Sequence, residues 1–141
     1  MKLKEAYALR AQMEATFAKA APSMTVDEII QNRVLCRPWA AGSHLVGETY
    51  TAMGQIWECF QAYNNAIYPD IAPGQAAWYT FNRPYHGTSP ETAMPWVAPT
   101  GAHDIYNHGE YMVWTDGMIY KNLLATNFGP VEYPGAWEVA G

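Results

Sequence analysis

Apolar and polar positions change their rhythm along the chain, and the change divides it. Over residues 2–20, Leu3, Ala6, Arg10, Met13, Phe17 and Ala20 fall at alternating spacings of three and four, in a stretch dominated by Ala, Leu, Met, Lys, Glu, Arg and Gln. Good helix formers with that period predict a helix. Arg10 interrupts the stripe, so the helix either docks or oligomerises, or lies on its own domain. Ala21-Pro22-Ser23 should end it, because the residue before a proline avoids helical geometry. Thr25-Val26-Asp27-Glu28 reads as a capping box. A helix of about two turns should follow through Ile29, Ile30 and Val34, and stop at Arg37-Pro38.

From Trp39 onward, short apolar-aromatic runs alternate with Gly, Pro, Asn and Asp. This pattern predicts strands near 45–52, 55–62, 77–81, 110–115, 118–125 and 136–139. Residues 82–100 carry Pro84, Pro90, Pro95 and Pro99 with Gly87 and Ser89, and read as loop or linker. The expected fold is mainly β with an N-terminal α-helical segment and two small related β modules of short antiparallel strands. The expected boundaries are a helical segment at 1–38, a first module at 39–81, a linker at 82–95 and a second module at 96–141.

The two modules can be laid over each other. Gly47-Glu48, Met53-Gly54-Gln55-Ile56-Trp57, Asn64, Tyr68-Pro69 and Trp78 answer to Gly109-Glu110, Asp116-Gly117-Met118-Ile119-Tyr120, Asn127, Tyr133-Pro134 and Trp137. The offset is 62 at Gly47/Gly109 and 63 at Gly54/Gly117, Ile56/Ile119 and Asn64/Asn127. It becomes 65 at Tyr68/Tyr133 and 59 at Trp78/Trp137. A glycine opens a strand, a second supplies the positive φ of a hairpin turn, and an apolar-aromatic pair returns. The pattern suggests duplication.

Composition narrows the chemistry. Charged residues are 15% of the 141, whereas 6 Trp and 10 Tyr make the chain rich in aromatics; about a quarter charged is usual. The net charge is −5 and no basic cluster follows Lys2 and Lys4, which argues against nucleic acid and acidic polymers as partners. A neutral ligand fits better. Cys36 and Cys59 are too few for a disulfide scaffold or zinc cluster; one bridge between them is open, although Cys59 in an apolar run favours a buried thiol. No apolar run reaches the length of a membrane span. Glu5, Arg10, Gln12 and Glu14 interrupt any signal-peptide core in residues 1–20.

The stretch Trp96-Val97-Ala98-Pro99-Thr100-Gly101-Ala102-His103-Asp104-Ile105-Tyr106-Asn107-His108-Gly109-Glu110 resembles the opening of chitin-binding type-3 domains, of the family V and XII carbohydrate-binding modules. The shared features are a Trp, a Pro-Thr-Gly-Ala and a Tyr-x-x-Gly-acid. The ending Asn127-Phe128-Gly129-Pro130-Val131-Glu132-Tyr133-Pro134-Gly135-Ala136-Trp137-Glu138 is similar to their close. The whole layout, with a first module running Gly47-Glu48 to Tyr63, also resembles proteins encoded among tail genes of phages and prophages of Gram-positive bacteria. Two positions depart from the family: Phe128, and Ile67 in the first copy, stand near the place of an exposed Trp. The resemblance implies a virion component, tail or surface, that binds cell-surface or environmental polysaccharide. Its partners would be other virion proteins and copies of itself as a homo-oligomer. It would be made in the host cytoplasm and released on lysis.

An exposed aromatic ring packs on the C–H face of a sugar while nearby polar groups bond its hydroxyls. Trp114, Tyr120, Phe128 and Tyr133 are the candidates for stacking, and Asp116 and Asn127 for polar contacts. Trp137 is expected in the core, while Tyr120 is open between core and surface. Glycan hydrolysis needs two carboxylates at a set separation. No spacing among Glu110, Asp116, Glu132 and Glu138 picks out such a pair, so no enzyme and no cofactor is expected. His103 and His108 with Asp104 fall short of the three or four convergent ligands a metal needs. Two other readings remain: a purely structural particle protein with its aromatics buried between subunits, and a detached accessory module of an enzyme.

Overall fold

The computed structural model describes residues 2–101 and 103–140. Helix α1 spans Leu3–Ala20 and α2 spans Val26–Gln31. The capping box forms as expected: Glu28 N–H donates to Thr25 Oγ1 (3.1 Å) and Thr25 N–H to Glu28 Oε1 (2.9 Å). Such a cap contributes about 1 kcal/mol. The apolar run then tightens into a 3-10 turn at Arg33–Leu35.

Among the described residues nine short strands follow, in three sheets. Strand β1 (Ser43–His44) pairs with β4 (Tyr63–Asn64). Strands β2 (Thr49–Ala52), β3 (Gln55–Cys59) and β5 (Asn82–Pro84) form an antiparallel sheet in that order. Strands β6 (Met94–Pro95), β7 (Tyr111–Val113), β8 (Ile119–Asn122) and β9 (Trp137–Val139) form the third, in which β6 runs parallel to β7 and the rest are antiparallel. The chain is therefore mainly β with an N-terminal helical segment, as its pattern predicted.

The two halves share a hydrogen-bond scheme. Gly47 N–H donates to Cys59 O and Gly109 N–H to Asn122 O, both at 2.9 Å. Glu48 clamps the N–H of Leu45, and Glu110 clamps that of Asn107 (2.6 Å). The bridge His44↔Tyr63 has its counterpart in Tyr106↔Thr126. Each half then passes through a Tyr-Pro 3-10 turn, Pro69–Ile71 in one and Pro134–Ala136 in the other. A correspondence that the sequence comparison passed over lies upstream. Trp39 N–H donates to Thr51 O (2.8 Å) as Trp96 N–H does to Val113 O (2.9 Å), each after a proline bridged in parallel to the same strand.

Three expectations need correction. Residues 77–81 are not a strand: Trp78–Thr80 form a 3-10 turn and β5 begins at Asn82. Asn82 has to lie inside, opposite Cys59. Its amide donates to Ile71 O (2.8 Å) and Trp78 O (3.3 Å), and its oxygen accepts from the hydroxyls of Tyr50 and Tyr63. It follows that Trp78 is not the equivalent of Trp137. Register places Asn82 opposite Cys59 and Trp137 opposite Asn122, and residues 72–81 intervene in the first half only.

The third correction concerns residues 82–95, which are not a free linker. They supply β5 to one sheet and β6 to another, and Gly87 bridges to Tyr111 between them. The prolines sit where no N–H is needed, at a strand end (Pro84), at the first position of a 3-10 turn (Pro90) and on an edge strand (Pro95). Thr92 is wholly buried, and Asp27 of α2 accepts from Thr88 N–H (2.8 Å) and Oγ–H (2.6 Å).

The core has three parts. One gathers Phe17, Ile29 and Ile30 against Ile56, Tyr85 and Met94, so α2 covers the junction of the two halves. Burial of each such aliphatic side chain contributes roughly 1.5–3 kcal/mol. The second surrounds Tyr50, Trp57, Cys59 and Tyr63, and the third Tyr106, Met112, Ala136 and Trp137. Of the α1 stripe only Phe17 is fully buried; Leu3 is 67% and Met13 44% exposed. The two cysteines are separate buried thiols. Among the described residues no helix is long and apolar enough to cross a membrane.

Candidate functional site

The chain folds its C-terminal aromatics around one hairpin and one loop. Strands β7 and β8 meet at Asp116-Gly117, where Gly117 takes the positive φ (82°) the turn demands. Asp116 fixes the tip: one carboxylate oxygen accepts from Met118 N–H (2.8 Å), the other from the Tyr120 hydroxyl (3.0 Å). That hydrogen bond raises the Tyr120 pKa. The ring of Tyr120 packs, half-buried, on the third core cluster, which answers the question its sequence position left open: one edge joins the core and the hydroxyl serves the turn.

Trp114 follows β7. It is half-buried, with its ring 5.1 Å from that of Trp96 at 70°, and its outer edge lies on the backbone of Gly129. The loop bearing Gly129 is tied from within. Buried Trp137 donates its indole N–H to Phe128 O (3.0 Å), Phe128 N–H donates to Thr126 Oγ1 (3.0 Å), and Tyr133 N–H donates to Gly129 O (2.9 Å). These bonds leave Phe128 47% and Tyr133 39% exposed. The structure thus brings together Trp114, Gly129 and Phe128. Tyr120 and Asp116 form a separate pair at the hairpin tip. Asn127 is exposed beside Gly101, and Tyr133 joins the group through its backbone.

The residues carrying the opening motif have structural work. Asp104 is buried, and its carboxylate accepts from the N–H groups of Thr100 (2.9 Å) and Gly101 (3.1 Å), which holds the Pro99–Gly101 turn. Tyr106 is buried with its hydroxyl accepting from Val97 N–H (3.2 Å), and burial pushes its pKa well up. Glu110 faces His86 Nδ1 at 3.2 Å. His86, Tyr106 and Trp96 form a stack, with centroid spacings of 3.8 and 5.0 Å. Trp96 was not among the residues expected at the site, although the recurring Pro38-Trp39 and Pro95-Trp96 pairs were a signal for it. The His103 ring packs 4.6 Å from Phe60. Among the described residues no group of three or more His, Cys, Asp or Glu side chains is arranged to hold a metal.

Chemically, these residues offer aromatic surface with amide and hydroxyl groups, beside the exposed carboxylate of Glu132. Neither a protein-family model nor a curated protein matches the chain.

Proposed function

We propose that the protein binds glycans without catalysis, as a tail or surface component of a phage or prophage particle. Its ligand would be chitin-like or cell-wall polysaccharide. The observation that supports this reading is that Phe128 and Tyr133 are exposed on a loop that is pinned from beneath by Trp137 and meets Trp114 at Gly129. A loop backbone already tied in place loses little entropy on binding, and exposed aromatic rings suit the C–H face of a sugar. A single weak site gains from repetition. The uncovered turns of α1, with Leu3, Tyr7, Leu9 and Met13 exposed, suit assembly into a homo-oligomer or onto other virion proteins. The same exposed helix favours a second reading, a purely structural particle protein that binds no sugar.

Retention on chitin and on Gram-positive cell walls, with cellulose as control, separates the two. Selective retention is expected. Trp114→Ala and Phe128→Ala should each weaken it, roughly tenfold for a lost stacking contact of ~1.4 kcal/mol. Both variants should keep the native fold by circular dichroism. A folded wild-type protein that passes through all three matrices at high density would favour the structural reading.

A further inference from the structure

The six tryptophans divide by the fate of their indole N–H. Trp39 donates to Tyr63 Oη (2.9 Å), Trp57 to Ala52 O (3.0 Å) and Trp137 to Phe128 O (3.0 Å). Among the described residues Trp78, Trp96 and Trp114 find no such acceptor, and all three are only half-buried. They come from distant parts of the chain, yet they lie in sequence along one path. Trp96 and Trp114 touch at 5.1 Å, and Trp78 and Trp96 face the same cleft.

That cleft encloses about 240 Å³. Met53, Trp57, Gly74 and Trp78 of the N-terminal half form one wall, and Pro95, Trp96 and Val97 at the entry to the C-terminal half form the other. Trp57 and Trp78 hold each other edge to face at 5.2 Å. Among the described residues no charged side chain lines the cleft. Its one side-chain amide, that of Gln55, is already engaged, donating to Pro95 O (3.0 Å) and accepting from Ile56 N–H (2.7 Å). The walls offer a ligand aromatic surface, and Trp78 and Trp96 each carry an indole N–H without an acceptor among the described residues. The matching ligand is neutral, has an apolar face and carries oxygen acceptors at its rim. A pyranose ring has all three properties, whereas an aliphatic side chain lacks the acceptors.

We propose that the Trp78–Trp96 cleft is a second saccharide subsite, continuous through Trp96 with the Trp114 face. A linear oligosaccharide would then span both halves of the chain. This inference rests on the glycan-binding reading above and extends it. The N-terminal half, which departs from the family at Ile67, contributes to binding through Trp78 and not through an exposed loop aromatic.

The test is a titration of the uniformly ¹⁵N-labelled full chain with chitobiose and with chitohexaose, following the six indole N–H resonances. Chitohexaose should shift Trp78, Trp96 and Trp114 together and leave Trp39 in place, and it should bind more tightly than chitobiose. Trp78→Phe keeps a ring against Trp57 but removes the donor and part of the surface. It should cut the chitohexaose affinity about fivefold, while the Trp114 indole should still respond to chitobiose. If Trp114 responds and Trp78 stays silent, the second subsite is refuted and the C-terminal site stands. If no indole responds to either sugar and the protein is not retained on chitin or cell walls, the glycan-binding reading fails and the subsite with it. The wild-type titration decides the matter even where the Trp78 variant folds poorly.

Discussion

Gly129→Ala is the sharpest probe of the C-terminal site, because it adds one methyl group at the point where the loop meets Trp114. A Cβ at position 129 would lie 2.6 Å from Trp114 Cη2 and 2.8 Å from Cζ3. Carbon atoms pack at about 3.5–4.0 Å, so the ring edge has to retreat by roughly 1 Å. The loop yields little, since Trp137 holds Phe128 O and Tyr133 holds Gly129 O. Trp114 is half-buried and gives way first. Overpacking costs ~1–3 kcal/mol in a filled core. With one side of the ring in solvent the lower part of that range applies, about 1–1.5 kcal/mol, or a fall in Tm of roughly 3–6 °C at this chain length. Thermal unfolding gives the stability, near-ultraviolet circular dichroism reports the ring, and retention on chitin reports the proposed binding. An unchanged Tm together with an unchanged tryptophan spectrum would refute the placement of Trp114 on Gly129.

Other substitutions and conditions test the rest of the fold. Met53 is a non-glycine residue at positive φ (56°) in the first hairpin, and its side chain is 74% exposed. Met53→Asn should raise urea-unfolding stability by ~1 kcal/mol, since Asn tolerates that conformation; a loss would mean that the thioether packing over Gly74 outweighs the strain. Burial raises the pKa of Tyr50, Tyr63, Tyr85 and Tyr106. The unfolded chain therefore releases these protons from about pH 10 upward while the folded chain retains them. Stability should be full below that pH and then fall by up to ~1.4 kcal/mol per unit for each tyrosine. Alkaline titration followed by circular dichroism measures this, and a fold that holds unchanged well above pH 11 would contradict it. Burial also raises the pKa of both Cys36 and Cys59, so neither should react with a thiol reagent at neutral pH until denaturant is added; rapid labelling of the native protein would overturn that.

Local signals were legible in the sequence because their causes are local. The helix of residues 2–20 follows from helix formers at helical spacing, and α2 from a box of four residues, Thr25 to Glu28. The hairpin turns follow from Gly54 and Gly117, whose φ values of 71° and 82° suit glycine. Trp137 reads as core because it closes the strand order, and it is buried. Phe128 and Tyr133 read as exposed and are, whereas Trp114, which reads the same way, is half-buried because its ring lies against Trp96 and Gly129. Other features depended on which distant segments meet. Asn82 reads as an ordinary polar residue beside a proline-rich stretch, and only its burial among Tyr50, Tyr63, Ile71 and Trp78 makes it a hub. Residues 82–95 have the composition of a linker, yet they are fixed by pairing with β3 and β7 and by Asp27, whose sequence separation from Thr88 is 61. The row Trp78–Trp96–Trp114 has no period at all; it exists because two halves of one chain close against each other. Periodicity and turn chemistry act over a few residues and fix the elements, whereas a cleft between elements is set by long-range packing.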